Sequence, residues 1–165
     1  MKIIEDRDLD GLSRQARESP RLRKNLNLHD DYADPCQRLF NALEPGTYIR
    51  PHRHTEPPKP ETFLIVRGAL LLVIFDDEGL PSDAVRLATD GPNKAVDLPA
   101  GTWHMVIALN PGTVFFETKP GPYVALSDKD FAPWAPDESD PSSDVYLEQV
   151  ARQVRMNRHE VDPDA

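Results

Sequence analysis

Cysteine is almost missing: Cys36 is the only one in 165 residues, so no internal disulfide can form and a reducing compartment is expected. Positive charge is scarce as well. Lys and Arg number 19 against 28 Asp and Glu, a formal net charge of −9. That balance lacks the concentrated basic face that phosphate backbones require, and it excludes nucleic acid as the expected partner. Long hydrophobic runs are absent too. The longest, Ala69 to Phe75, is far short of the ~20 residues needed to span a bilayer, and Met1 to Asp8 carry no apolar signal core. The reading is a cytoplasmic protein with no membrane insertion.

Proline, by contrast, is plentiful. Seventeen in 165 residues is about twice the ordinary usage of roughly 5%. With a hydrophobic fraction of 39%, this fits a loop-rich all-β domain with polar tails better than a helical bundle. Residues 6–18 read as a short helix, capped by Asp6 or Asp8, with Leu9, Leu12 and Ala16 as its apolar stripe. Ser19-Pro20 ends it. An extended arm follows, in which Arg23, Asn25, Asn27 and His29 alternate with Leu22, Lys24, Leu26 and Leu28.

Strands are predicted at Cys36–Leu43, Thr47–His54, Phe63–Val66, Ala69–Phe75, Ala84–Leu87, Ala95–Leu98, His104–Leu109 and Thr113–Lys119. Gly and Pro turns separate them. Such short, regularly punctuated strands indicate a sandwich or barrel. Asp128 to Pro141 are polar and contain Phe131 and Trp134, which can pin the segment to the barrel. Residues 144–157 read as a helix with Leu147, Val150, Ala151 and Val154 on one side and Ser142 or Ser143 as cap. The expected organisation is an N-terminal helix and arm (1–30), a barrel (31–126) and a C-terminal extension with a helix (127–165).

The chemistry concentrates between Gly46 and His104. His52 and His54 lie two apart, so on a strand they point the same way and can reach one ion. Glu61 stands at the start of the next strand, six residues before Gly68. Pro99-Ala100-Gly101 makes a bend that delivers His104 from another strand. Three imidazoles and a carboxylate suit zinc, iron, manganese or nickel, with none singled out. Glu56 is a competing carboxylate, but it leads into the stiff Pro57-Pro58-Lys59-Pro60 loop.

Gly46…His52-x-His54…Glu61…Gly68 and Pro99-x-Gly101-x-x-His104 resemble the two motifs of the cupin superfamily. Several further segments are similar, more narrowly, to the WbuC-type cupin fold metalloproteins. They include Arg21-Leu22-Arg23-Lys24-Asn25-Leu26-Asn27-Leu28-His29, Pro51-His52-Arg53-His54-Thr55, Pro57-Pro58-Lys59-Pro60-Glu61, Lys119-Pro120-Gly121-Pro122-Tyr123 and Phe131-Ala132-Pro133-Trp134. The resemblance covers about residues 1–136. Six residues rather than three or four separate His54 from Glu61. Asn93 and Ala108 replace the glycine that usually opens the second motif and the asparagine that closes it. The resemblance implies a cupin-type double-stranded β-helix (a jelly-roll barrel) with one bound divalent metal, a role in bacterial surface-polysaccharide (O-antigen) biosynthesis and a homodimer.

Strand parity puts Tyr48 and Arg50 on the cavity side with His52 and His54. Glu117 and Lys119 share a parity on a later strand, and Tyr123 follows a Pro-Gly-Pro bend. Arg38, Asn25, Asn27 and His29 are candidates for a rim, and Trp103 reads as a packing residue. An enzyme is one reading: a metal-dependent isomerase, epimerase or dioxygenase acting on a small anionic or sugar-derived metabolite. In it Arg50, Lys119, Tyr48 and Arg38 hold the substrate, and Tyr123 and Glu117 move a proton. Two alternatives are a non-catalytic sugar-binding or sensing module and an interaction protein of a polysaccharide-assembly complex.

Overall fold

A computed structural model describes residues 1–124 and 130–161, with backbone alone for 156–161. In chain order the elements are α1 (Asp6–Glu18), β1 (Arg23–Asn27), β2 (Cys36–Leu43), β3 (His52–Arg53), β4 (Glu61–Arg67), β5 (Ala69–Phe75) and β6 (Pro81–Ala88). They continue with β7 (Ala95–Leu98), β8 (His104–Ala108), β9 (Thr113–Pro120), β10 (Asp130–Phe131) and α2 (Ser143–Val161). The strands form two five-stranded antiparallel sheets, ordered β1-β2-β9-β4-β7 and β10-β3-β8-β5-β6. This is the cupin-type jelly roll with a helix at each end of the chain.

Side-chain alternation fixes what lies between the sheets. Leu43, Phe63, Ile65 and Phe115 from the first sheet meet Leu70, Leu72 and Val106 from the second. The seven apolar residues of β5 need a further explanation, because a sheet with one wet face alternates apolar with polar. Here α2 covers the outer face. Leu71, Val73 and Phe75 of β5, with Met105 and Ile107 of β8, pack against Leu147, Val150 and Val154. Each such side chain contributes about 1.5–3 kcal/mol when fully buried. The first sheet is covered in the same way by α1, whose Leu9, Leu12 and Ala16 pack on Ala42 and Val114. Arg67 on β4 fastens α1 electrostatically, donating to Asp6 and Asp10 at 2.7 and 2.6 Å.

Several boundaries differ from the sequence reading. The predicted strand Thr47–His54 shrinks to His52–Arg53, because Pro51 has no N–H for a ladder and residues 47–50 run irregularly. The parity argument for Tyr48 fails with it. The cap of α1 is Glu5, whose N–H donates to Asp8 Oδ2 at 2.8 Å, so Asp8 acts as the reciprocal partner instead of the cap. The last helix extends beyond 144–157 at both ends. β10 was not foreseen: two residues long, it pairs antiparallel with β3, too short for any periodic signal. Part of the predicted segment Asp128 to Pro141 lies outside the described residues. Within the rest, Trp134 packs edge-on against Trp103 at 4.9 Å between ring centres, while Phe131 pairs with His52 in the sheet and sets its ring 5.6 Å from the Arg50 guanidinium. Among the described residues no helix is long and apolar enough to cross a membrane.

Candidate metal centre and cavity

His52 is the first residue of β3 and lies directly opposite His104, the first residue of β8. Their ring centres are 4.5 Å apart. His54 follows two residues on, and Glu61 opens β4 from the other sheet. Two motif glycines let the chain make these turns. Gly68 adopts φ +67°, and a Cβ there would meet Thr113 Oγ1 at 2.8 Å. Gly101 adopts φ +78° in the bend leading into β8, and its N–H donates to the His54 carbonyl at 3.1 Å.

One donor atom each from His52, His54 and Glu61 lies within 4.8 Å of the other two. His104 Nε2 approaches the opposite oxygen of the carboxylate, Glu61 Oε2, at 3.1 Å, and His54 Nε2 stands 3.3 Å from Oε1. All four side chains are buried, whereas Glu56 is exposed, so Glu61 is the carboxylate of the cluster. The ring tautomers follow from the backbone. His52 Nδ1 sits 2.9 Å from the Arg50 carbonyl and His104 Nδ1 2.9 Å from that of Thr102. A carbonyl only accepts, so each Nδ1 carries a proton and each Nε2 is the ring atom left to face the cluster, the arrangement found behind ligating histidines. Glu61 Oε2 is buried and accepts no well-formed hydrogen bond among the described residues. This donor set fits a divalent transition metal.

Lys119 on β9 adds a feature that the motifs do not contain. Its Nζ donates to Glu61 Oε1 at 3.0 Å and lies 3.0 Å from Glu117 Oε1, while Asn41 Nδ2 donates to Glu117 Oε2 at 2.8 Å. Burial works against the charge of Glu61, but the imidazoles of His104 and His54 and the ammonium of Lys119 outweigh it. The carboxyl is held well below its usual range. Burial likewise opposes the charge of Lys119, and the carboxylates of Glu117 and Glu61 overcome it and raise its pKa.

His52, His104, Glu61 and Glu117 line a cavity of about 540 Å³ that runs past Phe63, Val106 and Phe115 to a polar, more exposed end. Arg50, Tyr123 and Asn25 line it as well. Arg50 Nε and Nη2 both donate to the Ala132 carbonyl, at 3.2 and 2.8 Å. Tyr123 stacks at an angle on Tyr32, 5.0 Å between centres.

Other candidates lie elsewhere. Tyr48 is not a lining residue. Its ring packs in the core under α2, near Tyr146, and its hydroxyl donates to the Pro136 carbonyl at 2.9 Å. Burial raises its pKa. Arg38 is also outside the cavity, donating to Asp34 and to the Cys36 carbonyl at 2.9 and 3.1 Å. His29 is buried rather than on a rim, its Nδ1 accepting the Arg38 N–H at 3.0 Å. Trp103 is a buried packing residue.

Sequence reading missed several residues here. Arg23 lines the cavity, and its shared parity with Asn25 could have exposed it. Arg21 and Glu138 also line it, and nothing in their local pattern signals that. Lys59 is buried in its proline loop and donates to the Pro122 carbonyl at 2.6 Å.

The double-sheet barrel, with a His/Glu cluster facing an internal cavity, defines the class: a cupin-fold protein with a candidate metal site. The chain belongs to the family described as a domain of unknown function (DUF6016), which matches residues 4–87. No curated protein matches it. Among solved structures it is similar to a cupin 2 domain-containing protein from Halorhodospira halophila, at 22% identity over 81% of this chain and 83% of that one, with a TM-score of 0.50. It is also similar to KdgF from Halomonas sp., at 19% identity over 64% and 84% of the two chains and a TM-score of 0.49. A third is a sugar phosphate isomerase from a cupin superfamily of Silicibacter pomeroyi, at 24% identity over 60% and 59% and a TM-score of 0.47. At 22% identity the first of these speaks to the fold alone and leaves the reaction open.

Proposed function

We propose that this protein is a metal-binding cupin that binds or transforms a small anionic or sugar-derived metabolite. The observation that carries the reading is the convergence of His52, His54 and Glu61, with His104 on the second carboxylate oxygen, at the buried end of the cavity. The ion would be held by those four residues and would supply Lewis acidity to a ligand oxygen. The chain's own residues account for the rest. Arg50, anchored on the Ala132 carbonyl, faces an anionic group. Phe63, Val106 and Phe115 restrict water, and Glu117 and Tyr123 are the groups available to hold or move a proton. Lys119 serves by bridging Glu61 and Glu117, which holds the Glu61 carboxylate in place.

The WbuC-like segments support a narrower placement in bacterial surface-polysaccharide (O-antigen) biosynthesis and a homodimer, and the single cysteine supports a reducing, cytoplasmic compartment. A sugar-binding or sensing module without turnover is the second reading. It is favoured by the engagement of both Lys119 and Arg50 in fixed structural bonds. Thermal unfolding with nucleotide sugars and sugar acids tests the function. A ligand of this class is expected to raise the melting temperature of the wild type, and Arg50→Ala to abolish that rise while retaining metal. A rise that persists in Arg50→Ala, or after complete metal removal, overturns the assignment. Chemical change of the stabilising compound separates the enzyme from the sensor.

A further inference from the structure

We infer that the exposed end of the cavity is a built subsite for the oxyanion of a small acid, a phosphate or a carboxylate, and that Asp137 and Glu138 occupy it as in-chain placeholders. The inference rests on the cavity being the ligand-binding site proposed above, and it adds the residues that select the ligand's charge. Four cationic residues line this end, Arg21, Arg23, Lys24 and Arg50, in a chain whose net charge is −9. The acidic lining residues beside them are Asp137 and Glu138, consecutive in the stretch between β10 and α2. The remaining two acidic lining residues, Glu61 and Glu117, are both bound to Lys119 at the buried end.

The geometry of the guanidinium groups is what makes this a subsite. Arg23 Nη1 donates to the Tyr48 carbonyl at 2.7 Å, and its Nη2 reaches Glu138 Oε2 at 2.5 Å. Arg50 is fixed in the same manner by the Ala132 carbonyl, and its Nη1 faces Asp137 Oδ2 at 3.6 Å. In both, a neutral backbone oxygen sets the orientation and a remaining Nη group faces a carboxylate, through a hydrogen bond in Arg23 and a longer ionic contact in Arg50. Arg21 adds a second cation to the same oxygen of Glu138, at 3.2 Å. Arg21 and Glu138 have side-chain exposures of 65% and 31%, so that contact is open to water and screened. Arg23 is the more buried partner, its side chain 14% exposed, so an incoming oxyanion that replaces Glu138 must take over its pairing with Arg23.

Inorganic phosphate titrated by calorimetry into the full-length protein, as purified and again after chelation, tests the proposal. Glu138→Gln removes the competing charge with little change of shape, and it is expected to bind phosphate roughly five- to tenfold more tightly than wild type. Glu148→Gln, which removes one exposed charge on α2, is expected to bind as wild type does. Adding Arg21→Gln to Glu138→Gln should abolish the gain. If Glu138→Gln is too unstable to measure, Arg21→Gln alone decides by weakening phosphate binding or leaving it unchanged. Equal affinity in Glu138→Gln and Glu148→Gln, a gain that survives Arg21→Gln, or an unchanged affinity in Arg21→Gln alone each overturns the subsite. A gain of the same size before and after chelation belongs to the arginines, so it stands even if the metal assignment fails.

Discussion

Lys119→Met isolates the electrostatics of the centre. The lysine ammonium is 3.0 Å from both Glu61 and Glu117, and its side chain is only 8% exposed. Methionine fills much of the same stem volume, so the cavity contribution is small. What changes is charge: two buried carboxylates lose the cation between them, and Glu117 keeps its bond from Asn41. Removing one partner from a buried ion pair costs about 3–5 kcal/mol, and that is the loss expected from urea unfolding in the presence of a chelator. A divalent cation among His52, His54 and Glu61 would restore positive charge to the same carboxylate. Ion at a hundred times its dissociation constant stabilises any protein by about 2.7 kcal/mol. In Lys119→Met the metal-induced gain at one fixed metal concentration should exceed that of the wild type, because the ion no longer competes with an ammonium for Glu61. By linkage the variant then binds metal more tightly. Two results would refute this reasoning: equal stability of variant and wild type in chelator, or equal metal-induced stabilisation of both.

Other outcomes follow from named contacts. In metal-free protein the depressed carboxyl of Glu61 contributes stability that is complete above the ordinary carboxyl range of about 4.3. That contribution is lost as the pH falls through the lower folded value, so Glu61→Gln should flatten the acid limb of a stability–pH curve. An acid limb unchanged in Glu61→Gln would contradict the assignment. Tyr48→Phe deletes a hydroxyl bound to the Pro136 carbonyl and should cost about 1 kcal/mol in denaturant unfolding. It should leave metal content and ligand response untouched, and a selective loss of ligand response would return Tyr48 to the site. Val150→Ala, on the buried face of α2 at 2% exposure, should destabilise by about 1–3 kcal/mol in the same assay. A negligible effect would mean that α2 does not cover the second sheet in solution.

How much of this was legible beforehand follows from the range of each signal. The hydrophobic run of β5 and the stripe of α1 are local, and both elements form where they were expected. The His-x-His pair and the Pro-x-Gly bend are also local, and the barrel brings their rings together. Tyr48 was misplaced because period-two parity presupposes a continuous strand, which Pro51 and the irregular residues 47–50 interrupt. The double contact of Lys119 with Glu61 and Glu117 spans β4 and β9, so strand parity suggested the side but not the partners. Glu138 lies 115 residues from Arg23, to which it bonds. No window along the chain relates those two residues.

Metal content of the purified, metal-supplemented protein, measured by inductively coupled plasma mass spectrometry beside His52→Ala and Glu61→Ala, is the most direct test. About one divalent transition-metal ion per chain is expected in the wild type, with a sharp loss in both folded variants. A wild type that holds no ion after supplementation, or variants that keep the full complement, would contradict the assignment of these side chains to a metal centre.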